Sequence, residues 1–479
     1  MFRPDRITRD RLAALEVSVR LAVGDKSFRA ELRDISQNGL AIAWPREAPE
    51  APVGSVIGPV DVRVDDRPVY AGHIEVISVR EDAGARVVGC AFRDALLNTD
   101  DLLTLQQVRS ARAGGLLDLD PRTRPWAAAA SYDGFKAGVA EMRLFLEDAR
   151  EQLLRLEGEL PWELVRGFGD DPLRLALVDE LRGGFVVSFL ELAHRLDAAV
   201  RGAVEVDVPK LRAFSQRHLD AFLMQAPFFH RARSKPLGYP GDFVLMRYIY
   251  ERGFEGGDLF ARALQLAATE TDGACMIRGR KALLRDQLLG LAHAPIERKL
   301  SVAVVGSGPC EEVVEVIRGL RPDHRPIEFV LFDQSRDALS FALSRLRPAA
   351  EAAAGTVKLV FLHESIRDLL RGPTTYARHG AFDAVVCSGL LDYLKRESAV
   401  ALCANLAASL APGGTLFVGN VVPELRTRWI LEHHLDWFVH YRTRAELRSI
   451  AEDSFPGARV EHLEEESGYN PFVAIHRPG

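Results

Sequence analysis

The residues with the clearest chemical content form the run Gly306-Ser307-Gly308-Pro309-Cys310-Glu311, directly after the apolar stretch Ser301–Val305. Two glycines at this spacing let the backbone turn tightly and approach a ligand at the start of the next helix. A lone pair of glycines does not choose the ligand; the neighbours do. A dinucleotide loop has a third small residue where Cys310 and Glu311 stand, and the helix start then holds a pyrophosphate. Here Glu311 and Glu312 occupy that first turn, complement the helix dipole themselves and repel phosphate. A cofactor with an adenosine end and no phosphate fits better. S-adenosylmethionine, cationic at its sulfonium and amino groups, is the one these residues favour.

The following β-rich runs each end on residues suited to such a ligand. Ile327–Phe332 ends at Asp333, where a carboxylate can accept hydrogen bonds from both ribose hydroxyls, and also cap the helix starting near Ser335. The next run leads to Ser365 and Ile366, expected beside adenine. Phe382–Cys387 leads to Ser388, Gly389 and Leu390, expected along the methionine end, and then to Asp392 and Tyr393 at the carboxyl edge, where such folds place chemistry. If the acceptor is a carboxylate, no general base is needed; if it is a hydroxyl, Asp392 is the nominee. There is no H-E-x-x-H, no G-x-S-x-G and no P-loop lysine, so metalloprotease, serine hydrolase and NTPase readings fail. His433 and His434 are adjacent, point in different directions on a helix and make no metal pair; no metal site is expected.

These residues need a scaffold. The chain has 479 residues, 47% hydrophobic and 27% charged, with 61 basic against 67 acidic side chains. At ~150 residues per domain this suggests about three domains. The balanced charge argues against nucleic acid as a partner. Five scattered cysteines give no disulfide framework and fit a reducing compartment. With no signal-like start and no apolar run long enough to cross a bilayer, a cytoplasmic protein is expected.

Three textures follow one another. Short alternating runs (Leu15–Val23, Phe28–Ile35, Leu40–Trp44, Val60–Val64, His73–Val79 and Val87–Phe92) predict a small all-β barrel with a capping helix over Asp100–Arg109. The barrel is placed at 1–109 and a Gly-, Pro- and Arg-rich linker at 110–127. A helical domain is expected over 128–298. Its first seam runs Phe135, Val139, Met142, Leu146, Ala149, Leu153, Leu156 and Leu160, and Leu173–Val200 folds back on it after Pro172. From 299 to 479 strands alternate with helices in the rhythm of a doubly wound Rossmann-like sheet, closed by a hairpin around Ser467-Gly468. Trp437, Tyr441 and Arg442 are read onto one broad helical face. Tyr239-Pro240-Gly241-Asp242 has the composition of a turn.

Residues 299–479 resemble a class I S-adenosylmethionine-dependent methyltransferase, with glycine loop, acidic ribose residue and Pro412-Gly413-Gly414 turn in the usual order. The pieces KPLGYPGDF (235–243), VGSGPCEE, CSGLLDYL, Gly419-Asn420 and DWFVHYRTR (436–444) resemble the family associated with making 3-hydroxypalmitic acid methyl ester, a secreted bacterial signal. The resemblance implies a carboxyl O-methyltransferase acting on a hydroxylated fatty acid, with Tyr239, Asp242 and Arg442 at the substrate. Phe222, Leu223, Phe228, Phe229 and Met246 are candidates for an acyl sleeve, and Arg231, Arg233 and Lys235 for its carboxylate. At the other end, Asp34-Ile35-Ser36-Gln37-Asn38-Gly39 is similar to the D/N-x-S-x-x-G turn of PilZ domains, which implies cyclic di-GMP as a partner. Asp34, Ser36 and Gly39 would act with Arg6, Arg9 and Arg11, although no two of the lead-in arginines have the family's four-residue spacing. Two other readings stay open: a cyclic di-GMP-responsive interaction protein with a non-catalytic cofactor domain, and a methyltransferase acting on a protein.

Overall fold

The computed structural model describes residues 6–82, 84–113, 132–161, 164–165, 172–353, 355–372 and 380–479. Most of the expected linker lies outside them. The chain divides into two compact units, Met1–Arg124 and Pro125–Gly479.

In the first unit, strands β1 (Ile7–Thr8), β2 (Val17–Val23), β3 (Lys26–Ser36), β4 (Gly39–Ala43), β5 (Val56–Val64), β6 (Arg67–Asp82) and β7 (Ala85–Phe92) form one antiparallel sheet. Its order β3-β2-β5-β6-β7-β4 closes because β4 also pairs with β3, and closure leaves six strands without a free edge. Alternation decides which side is core: Val60, Val62 and Val64 are buried, whereas Asp61 and Arg63 between them are not. Gly39 is required by the packing of β4 on β7, since a Cβ there would overlap the Cys90 carbonyl oxygen. The helix Thr99–Ala113 adds Leu102 to the barrel core.

The second unit begins with the helix Asp133–Glu159, which buries Phe135, Val139, Met142, Leu146 and Leu153 of the expected seam. The helices Pro172–Leu181 and Val187–Val200 are joined by a wider turn at Arg182–Val186, and the second of them packs back on the first helix as expected. Leu196 sits so close to Gly138 that a Cβ there would lie 2.9 Å from Leu196 Cδ2. Five more helices follow: Val208–Leu223, Pro227–Ser234, Phe243–Glu251, Leu259–Thr269 and Asp272–Ala292.

The sheet of this unit contains β8 (Leu300–Val305), β9 (Ile327–Asp333), β10 (Val357–His363), β11 (Phe382–Cys387), β12 (Leu410–Gly419), β13 (Arg459–Leu463) and β14 (Phe472–His476), in the order β10-β9-β8-β11-β12-β14-β13. β8 to β12 are parallel; β14 runs antiparallel between β12 and β13. β9 and β11 are buried along their whole lengths, as strands covered on both faces must be. The winding reverses between β8 and β11, so a crevice opens beyond their carboxyl ends.

Between β12 and the helix Arg444–Ser454 the chain leaves the sheet, and Trp429, Ile430, Leu435 and Trp437 join the core of the helical layer. Helices and sheet are thereby one compact unit. The face expected from Trp437, Tyr441 and Arg442 does not form. After a wide turn at Ile430–His434 the backbone is irregular until Thr443 caps the next helix with a reciprocal Glu446 bond. Aromatic spacing alone misled there: Asn420 takes up the His440 carbonyl, which a helix would have satisfied internally, and Arg442 turns to the carbonyls of Leu391 and Leu394.

Candidate functional site

The crevice at the β8–β11 reversal holds a cleft of about 300 Å³. β8 ends in Gly306 at φ 67° and Gly308 at φ 52°, left-handed conformations that only glycine adopts without strain. Cys310, at φ 55°, shares that conformation and is fully buried at the start of the helix Glu311–Arg318. The loop is held by Asp333. One carboxylate oxygen accepts from the Gly308 N–H and the other from the Ser335 N–H, each at 2.8 Å. Burial pushes the Asp333 carboxyl up and the backbone N–H groups pull it back.

Gly306, Ser307, Gly308, Asp333, Ser388, Gly389 and Leu390, all expected at the cofactor, line this one cleft. Ser365 does not: its hydroxyl donates to Asp368 and accepts that residue's N–H, capping the helix Ile366–Leu370. Glu364 and Leu369 line the cleft instead, and the side chain of Ile366 lies outside what is described. Tyr239, expected at the acceptor, lines this same cleft, its hydroxyl pushed up to about 12 by burial and by nearby Asp333.

The two glutamates of the first helical turn part company. Glu311 pairs with Arg345 at 3.1 Å, and Glu315 one turn on pairs with Lys281 and Arg285. Glu312 makes no ion pair among the described residues, although it is 6% exposed and lines the cleft. Burial raises its carboxyl to about 7, against the pull of Arg280 and Lys281. The Ser307 hydroxyl, buried beside the Cys310 thiol, lines the same cleft. A buried acid with no ion pair among the described residues, facing the cleft beside a hydroxyl, fits a ligand with a positive and a polar end.

A second cavity, of about 100 Å³, adjoins the first, and the two share Gly241, Met246, Arg280, Gly389 and Tyr393 as walls. Its interior is apolar: Phe228, Phe229, Ile249, Met276, Ile277 and Trp437 are representative. Phe228, Phe229 and Met246 thus line a cavity as expected, whereas Phe222 and Leu223 pack in the helical core. Asp392 faces the apolar cavity with one oxygen accepting the Val421 N–H at 2.9 Å, and burial raises its pKa. Tyr393 accepts from Trp437 Nε1 at 2.9 Å. Gly241 presses on the same indole; a Cβ there would come 2.8 Å from Trp437 Cζ2.

Asp242 and Arg442 serve the frame rather than an acceptor. Asp242 is 1% exposed, caps the helix Phe243–Glu251 through the Val244 and Leu245 N–H groups and receives Arg231 Nε at 2.9 Å. Arg442 is buried and donates to Asn420 and to the carbonyls of Leu391 and Leu394. The cations expected at a carboxylate are likewise committed, Arg231 to Asp242, Arg233 to Asp436 and Lys235 to the Asp436 carbonyl. Sequence reasoning passed over Arg280. Its signal was a cation in the apolar stripe Gly273, Met276, Ile277, Arg280, Leu284 of one helix.

His434 lies between Ser215 and Asp220, 2.7 Å from each, which reproduces the residue types of a hydrolase triad. Ser215 and His434 are fully buried and neither lines the two cavities, so the set is a lock on the segment bearing Trp437.

In the barrel, β1 pairs with β3 so that Thr8 faces Asp34, and Arg6 reaches Asp34 at 3.3 Å. Arg9 donates to the Leu12 carbonyl, Arg11 is exposed, and the Ser36 hydroxyl turns inward to the Gly39 carbonyl.

No curated protein matches the chain. Among solved structures it is similar to an exported-protein candidate from Bordetella parapertussis (17% identity, 65% of this chain and 100% of that one, TM-score 0.40). It is also similar to magnesium protoporphyrin IX methyltransferase from Synechocystis PCC 6803 (16%, 52% and 99%, TM-score 0.35). A third is an O-methyltransferase family protein from Burkholderia thailandensis (14%, 65% and 99%, TM-score 0.32).

Asp333→Asn tests the loop anchor without any ligand. An amide presents a donor to one of the two N–H groups that now meet an oxygen, so stability should fall by about 1–3 kcal/mol, read by denaturant unfolding at pH 7. An unchanged midpoint would show that the loop does not depend on this carboxylate. The family model of the PilZ domain matches residues 5–106, and that segment is a PilZ domain.

Proposed function

We propose that the second unit is an S-adenosylmethionine-dependent methyltransferase forming the methyl ester of an apolar, hydroxylated fatty acid. The observation that carries this reading is the junction of two cavities at Arg280, Gly389 and Tyr393: a cleft suited to an adenosine cation on one side and an apolar pocket on the other. When bound, the cofactor supplies an electrophilic methyl group. Asp333 would accept from the ribose hydroxyls, and Glu312 would hold the amino group. Ser388 to Leu390 would pass the methionine end toward the junction. The apolar wall would exclude water and hold the acceptor in line, which is most of what such a transfer needs. A carboxylate acceptor would carry no proton to be lost, so no side chain of this chain would have to act as a general base.

The PilZ domain is proposed to bind cyclic di-GMP and to bias this activity. Support comes from the meeting of Arg6 and Asp34, 28 positions apart, at the start of the D-x-S-x-x-G turn. Arg6 is the arginine so placed, and it is 60% exposed.

Three outcomes are expected. With isotope-labelled cofactor, the full chain should methylate carboxylic acids of eight to eighteen carbons. Each added methylene should improve kcat/KM about fourfold, from ~0.8 kcal/mol of burial, until the cavity is filled. Label in a protein fraction and not in acids would transfer the reading to a protein acceptor.

Cofactor affinity should depend on pH through Glu312, which lies among Arg280, Lys281, Tyr250, Cys310 and Glu311. Its carboxyl titrates near 7 in the free protein, and a bound ammonium favours the ionised form. S-adenosylhomocysteine binding is therefore full above pH 7 and weakens toward tenfold per unit below it. Glu312→Gln should flatten that slope in calorimetry; a slope kept by the variant assigns it elsewhere.

Cyclic di-GMP should bind the full chain, with Arg6→Ala weakening it roughly tenfold to a hundredfold. No heat at 100 μM ligand would remove the nucleotide from the account.

A further inference from the structure

Arg280 is the only basic residue among the described residues that line either cavity, and it lines both. Nearly every other cation near the site is already paired with a carboxylate, Arg231, Arg233, Lys281, Arg285 and Arg345 included. Arg280 makes no ion pair among the described residues. Its Nη1 donates to the Ser388 carbonyl at 3.2 Å, and it shares a hydrogen bond with the Tyr250 hydroxyl. These contacts aim the guanidinium and leave N–H groups over. Gly389 makes room for it, since a Cβ there would lie 3.3 Å from Arg280 Nη2.

Which ligand it meets is argued from its helix. Asp272–Ala292 contributes Gly273, Ala274, Met276 and Ile277 to the apolar cavity, and to the cofactor cleft it contributes only Arg280. Arg280 therefore stands at the outer end of an acceptor wall. Across the same cavity Asp392 is the other charged group, and an anionic head would be repelled by it without a cation alongside. We propose that Arg280 binds the carboxylate of the acceptor and selects apolar acids over alcohols of equal length. This rests on the methyltransferase reading above.

The planar guanidinium suits the assignment. A carboxylate held in its plane by two N–H groups keeps the outer lone pair of each oxygen free, and an alcohol, being neutral, gains less from the guanidinium.

The test uses the full chain, its Arg280→Met and Arg280→Lys variants, dodecanoic acid and 1-dodecanol as probes, and S-adenosylhomocysteine for the cofactor site. Wild type should bind dodecanoate more tightly than dodecanol in the presence of S-adenosylhomocysteine. Arg280→Met should lose roughly tenfold to a hundredfold for the acid and change alcohol affinity by less than about threefold, while S-adenosylhomocysteine affinity falls by less than acid affinity does, through the loss of a cation beside Glu312. Arg280→Lys, which keeps the charge without the fork, should recover part of the acid preference. Equal losses for acid and alcohol would reduce Arg280 to a structural role and overturn the proposal. A loss confined to S-adenosylhomocysteine would assign it to the cofactor and overturn it as well. Failure of the wild type to bind S-adenosylhomocysteine at all would instead sink the methyltransferase reading on which the proposal rests.

Discussion

The Asp333 carboxylate is the constraint on which the site depends. It is buried at the end of β9, and each of its oxygens takes a backbone N–H from a different loop, Gly308 after β8 and Ser335 after β9. Those bonds set how far apart the two loops stand, and so the shape of the cleft between them. A carboxylate oxygen can accept more than one hydrogen bond. The same group that fixes the loops thus keeps capacity for a ligand's hydroxyls, and losing it would change binding and cleft geometry together. Left-handed Gly306 and Gly308 serve the same end, because only that path brings the Gly308 N–H round to the carboxylate.

The apolar cavity depends on a different device, the excursion of the chain between β12 and the helix Arg444–Ser454. Its anchors are polar and its payload is not. His434 bridges Ser215 and Asp220, Asn420 receives Arg442, and Asp392 accepts the Val421 N–H. Between these fixed points Leu425, Ile430, Leu435 and Trp437 face the helices. Buried polar groups are costly unless fully bonded, and fully bonded ones specify a single arrangement. That arrangement brings Trp437 against Tyr393 and Gly241, at the junction of the two cavities.

What could be read from the sequence follows from how local each signal is. Alternation in Val60–Val64 and the glycine loop after Val305 are local; the barrel strands and the Rossmann-like sheet form as expected, and Gly306, Gly308, Asp333 and Ser388 to Leu390 line one cleft. Long-range pairing is not local. Asp242 was expected at the substrate, and in the fold Arg231 and the N–H groups of its own helix take it up. Ser365 looked like an adenine contact until its helix used it as a cap. Glu311 and Glu312 read alike, and only the folded chain shows that Arg345 pairs with the first while the second makes no ion pair among the described residues. Arg280 was hidden for the same reason: Arg278 and Lys281 beside it are equally basic, and only tertiary contacts tell them apart.

The electrostatics of the cleft then follow from burial and not from net charge. Asp333, Glu312 and Asp392 all have their carboxyls pushed up by desolvation, so each ionises at a cost that a nearby positive charge reduces. Arg280 alone, among the described residues lining the cavities, offers such a charge, and it sits at their junction and not beside Asp333. A phosphate entering this cleft would add negative charge beside Asp333 and Glu312, two carboxylates that already lack solvation. A cation entering it would be stabilised by Glu312 and would ease the ionisation of Asp333. The folded arrangement of Asp333 and Glu312 thus disfavours a phosphate in the cleft more strongly than the pair of glutamates visible in the sequence, one of which is spent on Arg345.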